Sequence, residues 1–269
     1  MATFIKVFND LKGKVKFLLK KLKIDQSQLA KPTGRKLAIR MEDALALELF
    51  RHSQGIITKK SLYEIFRPSC SYKTLVVSLI RCVKFASTLL ALLLKINRSN
   101  GHWLKHIDAT DIPVCRFKNA QAHQTMKGLA SFGHSSQGTF YGLKMHLISD
   151  FKRKLLAIKF TAAKAGDREI VLELSQGLTG IFIADAGYTS KKLEQEFYQE
   201  NQRLLLAQPR KNMKKLITFW QNELYKTRMI IELNFRNLKM FYGLITSLPR
   251  SVDGYLANYI HSILAYMLN

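Results

Sequence analysis

Apolar and polar positions alternate along this chain with two different periods. From the start to about residue 30, Phe4, Val7, Phe8, Leu11, Val15, Leu18 and Leu22 recur at helical spacing among lysines, which predicts a basic amphipathic helix. Lys31-Pro32-Thr33-Gly34 interrupts it. Helical spacing then returns over Met41 to His52, Thr58 to Phe66 and Tyr72 to Ile96, with Gln54-Gly55 as the turn between the first two. Two short helices around a Gly turn suit a helix-turn-helix unit or a plain helical bundle. Arg98-Ser-Asn-Gly101 marks a boundary.

Beyond it the period changes. His106 to Val114, Thr139 to Ile148 and Leu155 to Ala162 alternate as strands, with Gln121 to Gly138 as a wide polar loop. Asp167 stands where a residue can cap a helix to about Gln176. Gly180 to Ala184 is a short continuous apolar run, expected of a strand covered on both faces. A helix from Ser190 to about Gln202, a strand over Arg203 to Ala207, a basic loop over Gln208 to Lys215 and further helices follow, the last from about Gly254 to Leu268. Three strands followed by alternating helix and strand imply a mixed α/β sheet flanked by helices, preceded by an all-α N-terminal region. The division expected is residues 1–98 and 99–269.

Charge narrows the class. The 269 residues carry 43 Lys and Arg against 19 Asp and Glu, a formal net charge of +24, with 47% hydrophobic residues. So basic a globular chain meets polyanions, of which nucleic acid is the commonest. Cys70, Cys82 and Cys115 form neither a CxxC pair nor a disulfide framework, as suits a reducing, cytoplasmic compartment. Lysines interrupt the first residues, so no secretory signal is expected, and Arg81 and Lys84 divide the apolar stretch Thr74 to Ile96, which reads as a buried helix and gives no expectation of a membrane. The histidines and cysteines show no zinc-ligand spacing.

The chemistry concentrates in a polar stripe. Tyr225, Arg228, Glu232 and Lys239 stand in the order Tyr-x2-Arg-x3-Glu-x6-Lys. At roughly 100° per residue of a single helix, they fall within about 60° of one another. Two more carboxylates are placed on strands: Asp108 within the first, and Asp185 directly after Ile181-Phe-Ile-Ala184. A carboxylate at such a place needs a partner, water or a cation. Asp111 lies an odd offset from Asp108 and so on the opposite strand face. Each acid also has a structural reading: Asp185 as a turn residue, Glu232 as a helix-surface partner of Arg228 and Arg236. Carboxylate oxygens suit Mg²⁺ or Mn²⁺, and two such ions can drive phosphodiester cleavage.

These motifs together resemble the DDE transposases of bacterial insertion sequences. The Tyr-x2-Arg-x3-Glu-x6-Lys pattern matches the motif around the third acid of a large group of them. Ile107-Asp-Ala-Thr-Asp-Ile-Pro-Val-Cys115 resembles the first-acid strand of one subgroup, Phe140-Tyr-Gly-Leu-Lys-Met-His146 the strand after it, and Ala184-Asp-Ala-Gly-Tyr188 the second-acid motif. The strand order is that of ribonuclease H-like folds, though other mixed α/β topologies share it. The resemblance implies a ribonuclease H-like catalytic domain with Asp108, Asp185 and Glu232 as ligands of two Mg²⁺ or Mn²⁺ ions. It implies DNA contacts from Tyr225, Arg228 and Lys239, and the surrounding charge suggests Arg210, Lys211 and Lys144 as phosphate neighbours. Transposon terminal repeats and target DNA are the implied partners, met at the bacterial nucleoid, with a homodimer or larger assembly to cut two ends. A DNA-binding derivative without activity, or a ribonuclease H-like nuclease that never joins, would share much of this sequence.

Overall fold

The computed structural model describes residues 2–23, 38–135, 138–200, 202–209, 213 and 216–269. They divide into two compact units, residues 1–92 with 237–269, and residues 93–236. The sequence division at residue 98 puts everything after it in one domain. In the structure the last helix packs instead on the N-terminal helices, because its apolar face finds the apolar face of α2 below.

In the first unit, α1 (Ala2–Lys21), α2 (Met41–Ser53), α3 (Lys59–Phe66), α4 (Tyr72–Arg81) and the first part of α5 (Val83–Ser99) are joined by α10 (Val252–Leu268). α2 is the central element. Residues Ala44 to His52 are buried without interruption, between α1 on one side and α10 on another. Phe8, Phe50 and Phe66 meet edge to face, with centroids 5.0–6.5 Å apart, in the geometry aromatic quadrupoles favour. Thr58 and Ser71 cap α3 and α4 by accepting the backbone N–H three residues on. The run Tyr72–Ser99 is long and apolar enough to cross a membrane by length and composition alone. It is broken at Cys82, between Arg81 and Lys84, and Leu75, Leu79, Cys82, Phe85, Ala86 and Leu89 are buried in protein.

The second unit holds, among the described residues, a six-stranded mixed sheet. Its strands are β1 (Leu104–Pro113), β2 (Ser131–Ser135), β3 (Gly138–Asp150), β4 (Leu155–Ala162), β5 (Ile181–Ala184) and β6 (Leu204–Ala207), in the order β2-β3-β1-β5-β6 with β4 also on β3. β1, β2 and β4 run antiparallel to β3, while β5 and β6 join β1 in parallel. β2 falls in the segment whose Gly, Ser and His content predicts a loop. Its pairing with β3 gives it a strand conformation that its own residues do not favour.

Helices α6 (Asp167–Ser175) and α7 (Lys191–Gln199) cover one face, burying Val171, Leu174, Leu193 and Phe197 with Ile107, Phe182 and Leu205. α8 (Phe219–Lys226) covers the other, with Leu224 and Tyr225 on Leu104 and Ile183. Asp167 is the first residue of α6 and caps nothing; Gly166 holds the cap position.

Gly180 enters β5 at φ +100°, where an added Cβ would lie 2.2 Å from the Trp103 carbonyl oxygen. Only glycine combines that dihedral with so close a backbone neighbour. Gly180→Ala is expected to lower unfolding stability by about 2 kcal/mol or more, read as a shift in the urea midpoint.

Candidate active site

β1 and β5 bring two acids side by side. The parallel register pairs Leu104 with Ile181 and His106 with Ile183. Extending it two residues sets Asp108 opposite Asp185, on one sheet face, just where β5 ends and its backbone turns away. Each carboxylate has one oxygen fixed by backbone. Asp108 Oδ1 accepts from the Ala109 N–H at 2.8 Å, and Asp185 Oδ1 accepts from the Gly187 N–H at 2.8 Å as it caps a short 3₁₀ turn. The sequence supports that turn because Gly187 has no side chain to meet the capping carboxylate: a Cβ there would be 2.9 Å from Asp185 Oδ1.

The third acid arrives from α9 (Met229–Met240). The stripe that predicts one helix is split in two at Thr227 and Arg228. Arg228, Ile230 and Ile231 each donate to the carbonyl three residues back, so the backbone tightens locally instead of keeping the four-residue spacing. Thr227 fixes the break. Its hydroxyl donates to the Leu224 carbonyl at 2.6 Å and therefore accepts from His106 Nε2 at 2.8 Å. Burial pushes the His106 imidazole down to about 4, opposed by Asp150, so the ring is neutral and this contact uses its N–H. His106 thus ties the break to β1, two residues before Asp108 on the same strand face. Sequence reading misses this pair, whose only signal is that even offset.

The break gives the stripe's members different places. Arg228 forks between two acids, donating to Asp108 Oδ2 at 3.1 Å and closely to Glu232 Oε1. Glu232 is half-exposed. Tyr225 points into the core, its hydroxyl donating to the Ala207 carbonyl at 3.2 Å, and so holds α8 to the end of β6. A DNA contact from its hydroxyl is not available in this arrangement. Lys239 follows Glu232 by seven residues in the sequence and lies in the part of α9 that belongs to the first unit. Lys144 pairs with Asp111 across β1 and β3, which puts it on the sheet face opposite Asp108. Its ammonium binds the Ala165 carbonyl at 3.2 Å and Asp167 at 2.9 Å. Arg210 and Lys211 lie outside the described residues.

The electrostatics centre on Asp108. Burial pushes its carboxyl up to about 7. The Ala109 N–H and Arg228 oppose that rise, while Asp185 and Glu232 add to it. Tyr188, from the turn after Asp185, sits 2% exposed with no hydrogen-bond partner for its hydroxyl among the described residues, and burial with the charges of Asp108, Asp167 and Asp185 raises its phenol far above the usual range. The surroundings therefore hold more negative charge than Arg228 neutralises. Among the described residues no three His, Cys, Asp or Glu converge closely enough to hold an ion. Asp108 and Asp185 are aligned, and Glu232 is drawn toward Arg228.

Residues 98–251 match a protein-family model described as Transposase DDE domain. The three acids and Arg228 all fall inside that span. The fold is similar to that of a piggyBac transposase solved by cryo-EM as a synaptic complex with hairpin DNA. The TM-score is 0.55 at 11% identity, over 97% of this chain and 72% of that one. No curated protein matches the sequence.

Proposed function

This chain belongs to the Transposase DDE domain family, and from that premise we propose that it cuts DNA at the ends of a bacterial insertion sequence and joins them to target DNA through Asp108, Asp185 and Glu232. The observation that carries the assignment of residues is the alignment of Asp108 with Asp185 across parallel strands, with Arg228 linking Asp108 to Glu232. The sheet order supports a ribonuclease H-like reading: four antiparallel strands, β1 to β4, then β5 and β6 parallel to β1, with the first acid on the central strand.

The donor set fits a divalent cation. All three groups are hard carboxylate oxygens, and burial, with Asp185 and Glu232 adding to it, pushes Asp108 up to about 7, so a cation brought close would favour its ionised form. Asp108, Asp185 and Glu232 would hold Mg²⁺ or Mn²⁺, two ions in all. Bound there, the metal supplies Lewis acidity for attack of a hydroxyl on a phosphodiester and neutralises charge on the leaving oxygen.

The chain's own residues do the positioning. The Ala109 and Gly187 amides fix one oxygen of each aspartate, while Asp108 Oδ2 accepts from Arg228. Arg228 keeps Asp108 and Glu232 within reach of each other, and its guanidinium suits a phosphate once the acids are otherwise neutralised. Lys239, Arg210 and Lys211 supply further phosphate contacts, and the basic helices of the first unit add sequence-independent affinity for terminal repeats. Cutting two ends calls for two copies of this site, hence a homodimer or larger assembly on DNA, at the nucleoid of a bacterial cytoplasm.

Labelled DNA carrying the element's own ends tests the proposal. Cleavage followed by joining is expected in Mg²⁺, and neither with a chelator. Tight binding without cleavage in Mg²⁺ or Mn²⁺ would make the chain a DNA-binding repressor, and cleavage that never leads to joining would make it a nuclease.

A further inference from the structure

The first unit contains a cavity of about 430 Å³ that the catalytic reading does not use. That volume falls within the ~300–1,000 Å³ range of small-ligand sites. Every element of the helical unit near it contributes. α4 lends Tyr72, Val76 and Ile80, which its four-residue spacing sets in one row; Ile57 and Leu248 come from loops. Tyr72, Ile57 and Leu248 remain 43%, 76% and 50% exposed, a large apolar rim for a basic surface.

Charged side chains also line the cavity. Lys59, Arg51 and Arg250 face the cavity with a single acid, Glu48. Arg51 is committed, donating to Glu48 Oε2 at 2.7 Å and to Asn258 Oδ1 at 3.2 Å. Lys59 is held more loosely: its ammonium forms an ion pair with Glu48 Oε1 at 3.7 Å, longer than a hydrogen bond. That Oε1 is buried, on a side chain 1% exposed. The cavity wall thus carries a loose ion pair whose ammonium is the less buried partner. Ser251 and Thr58, which cap α10 and α3, also line it, so two helix N-termini lie at its wall.

An aromatic and aliphatic wall beside excess positive charge fits a flat apolar body that carries an anion. We propose that this cavity binds a nucleoside phosphate, its base against Tyr72, Val76 and Leu248 and its phosphate on Lys59 and Arg250. Bases stack on aromatic side chains irrespective of sequence, and phosphate pairs with lysine and arginine. The nucleotide comes either free from solution or from an unstacked position in a DNA strand, and the chemistry is the same for both.

Binding is measured on the full chain without metal, so the result is independent of whether Asp108, Asp185 and Glu232 catalyse anything. Two probes separate the sources: deoxyadenosine 5′-monophosphate by chemical-shift titration, and a short single strand carrying 2-aminopurine by fluorescence. Binding of the mononucleotide assigns the site to free nucleotides as well; a response of the strand alone assigns it to DNA. Either supports the proposal if Val76→Trp, which fills the cavity, and Lys59→Met each weaken binding about ten-fold. Lys73→Met, which removes an exposed cation outside the cavity lining, should leave it unchanged. Tyr72→Ala and Tyr72→Phe, at a position exposed enough to spare the fold, repeat the test if Val76→Trp unfolds, with loss expected for alanine and recovery for phenylalanine. A folded cavity-filling variant that binds both probes as the native chain does overturns the proposal, as does inorganic phosphate binding as tightly as the mononucleotide.

Discussion

Asp108→Asn should melt at a higher temperature than the native protein at neutral pH while losing about a thousand-fold or more of its cleavage rate. The two effects have one cause. Burial raises the Asp108 carboxyl to about 7, against an ordinary value of 3.8. Between those values the folded protein keeps a proton that the unfolded chain has released. Stability therefore falls as pH rises from about 4 to about 7, and above that window the full cost stands, on the order of 2–4 kcal/mol. Asparagine carries no charge to desolvate and keeps one oxygen to accept from the Ala109 N–H; its amide NH2 takes the place of Oδ2 and leaves Arg228 to Glu232. The gain in melting temperature should be largest near pH 8 and vanish near pH 4. Added Mg²⁺ should stabilise the native chain and leave the variant almost unmoved. A variant that is destabilised at pH 8, or that still cuts, would remove Asp108 from the role given to it.

Glu48→Ala should cost the first unit about 3–5 kcal/mol, because it strands a buried guanidinium. Glu48, Arg51 and His52 lie on the most deeply covered helix, with His261 facing them from α10. Burial opposes ionisation of Glu48, but Arg51, with His261 and Lys59 close by, holds its carboxyl well below the usual range. The hydrogen bonds assign His52 its neutral form. Its Nε2 lies 2.6 Å from an Arg51 N–H and must accept, so Nδ1 carries the proton donated to the Tyr242 carbonyl at 2.6 Å. Burial holds His52 well below its ordinary value, and brings His261 down to about 4. As pH falls from about 6.5 to 4, the unfolded histidines take up protons that the folded ones refuse, so stability drops. Below about 4.5 the unfolded chain also protonates Glu48 while the folded state does not, which extends the loss. With the opposing contribution of Asp108 removed in Asp108→Asn, urea midpoints should fall steadily between pH 7 and 4. Glu48→Met with Arg51→Met should recover most of the stability lost by the single variant. A single variant as stable as the native chain would contradict the network.

The residues that carry this account were not equally visible in the sequence. Asp108 and Asp185 were, because each interrupts a strand pattern at a place where a carboxylate needs explanation. Their neighbourhood follows from the parallel register of β1 with β5, which pairing in the folded sheet supplies. β2 was hidden because its residues favour a turn, and pairing with β3 overrides them. The break at Thr227 and Arg228 was hidden for another reason. Thr227 keeps right-handed helical dihedrals, φ −69° and ψ −11°, and no glycine or proline announces the change. Yet that small change turns Tyr225 into the core and Arg228 toward Asp108. Lys144, expected from charge beside phosphate, is held by Asp167 from a later helix, a partner its own strand does not announce. The Glu48 network joins residues some two hundred positions apart, and nothing local in either segment reports the other.

The first unit is made from two stretches of chain separated by all of the second. During synthesis α2 is complete early, with its buried charges and its apolar face toward α10 uncovered, while the sheet of residues 93–236 can close as soon as β6 and α8 emerge. The helical unit must wait for residues far downstream, and its native contacts are correspondingly non-local, which slows their formation. In the interval α2 is the segment most in need of a chaperone, and a ribosome that stops short of residue 252 releases a chain whose sheet is whole and whose helical unit lacks the helix that covers α2.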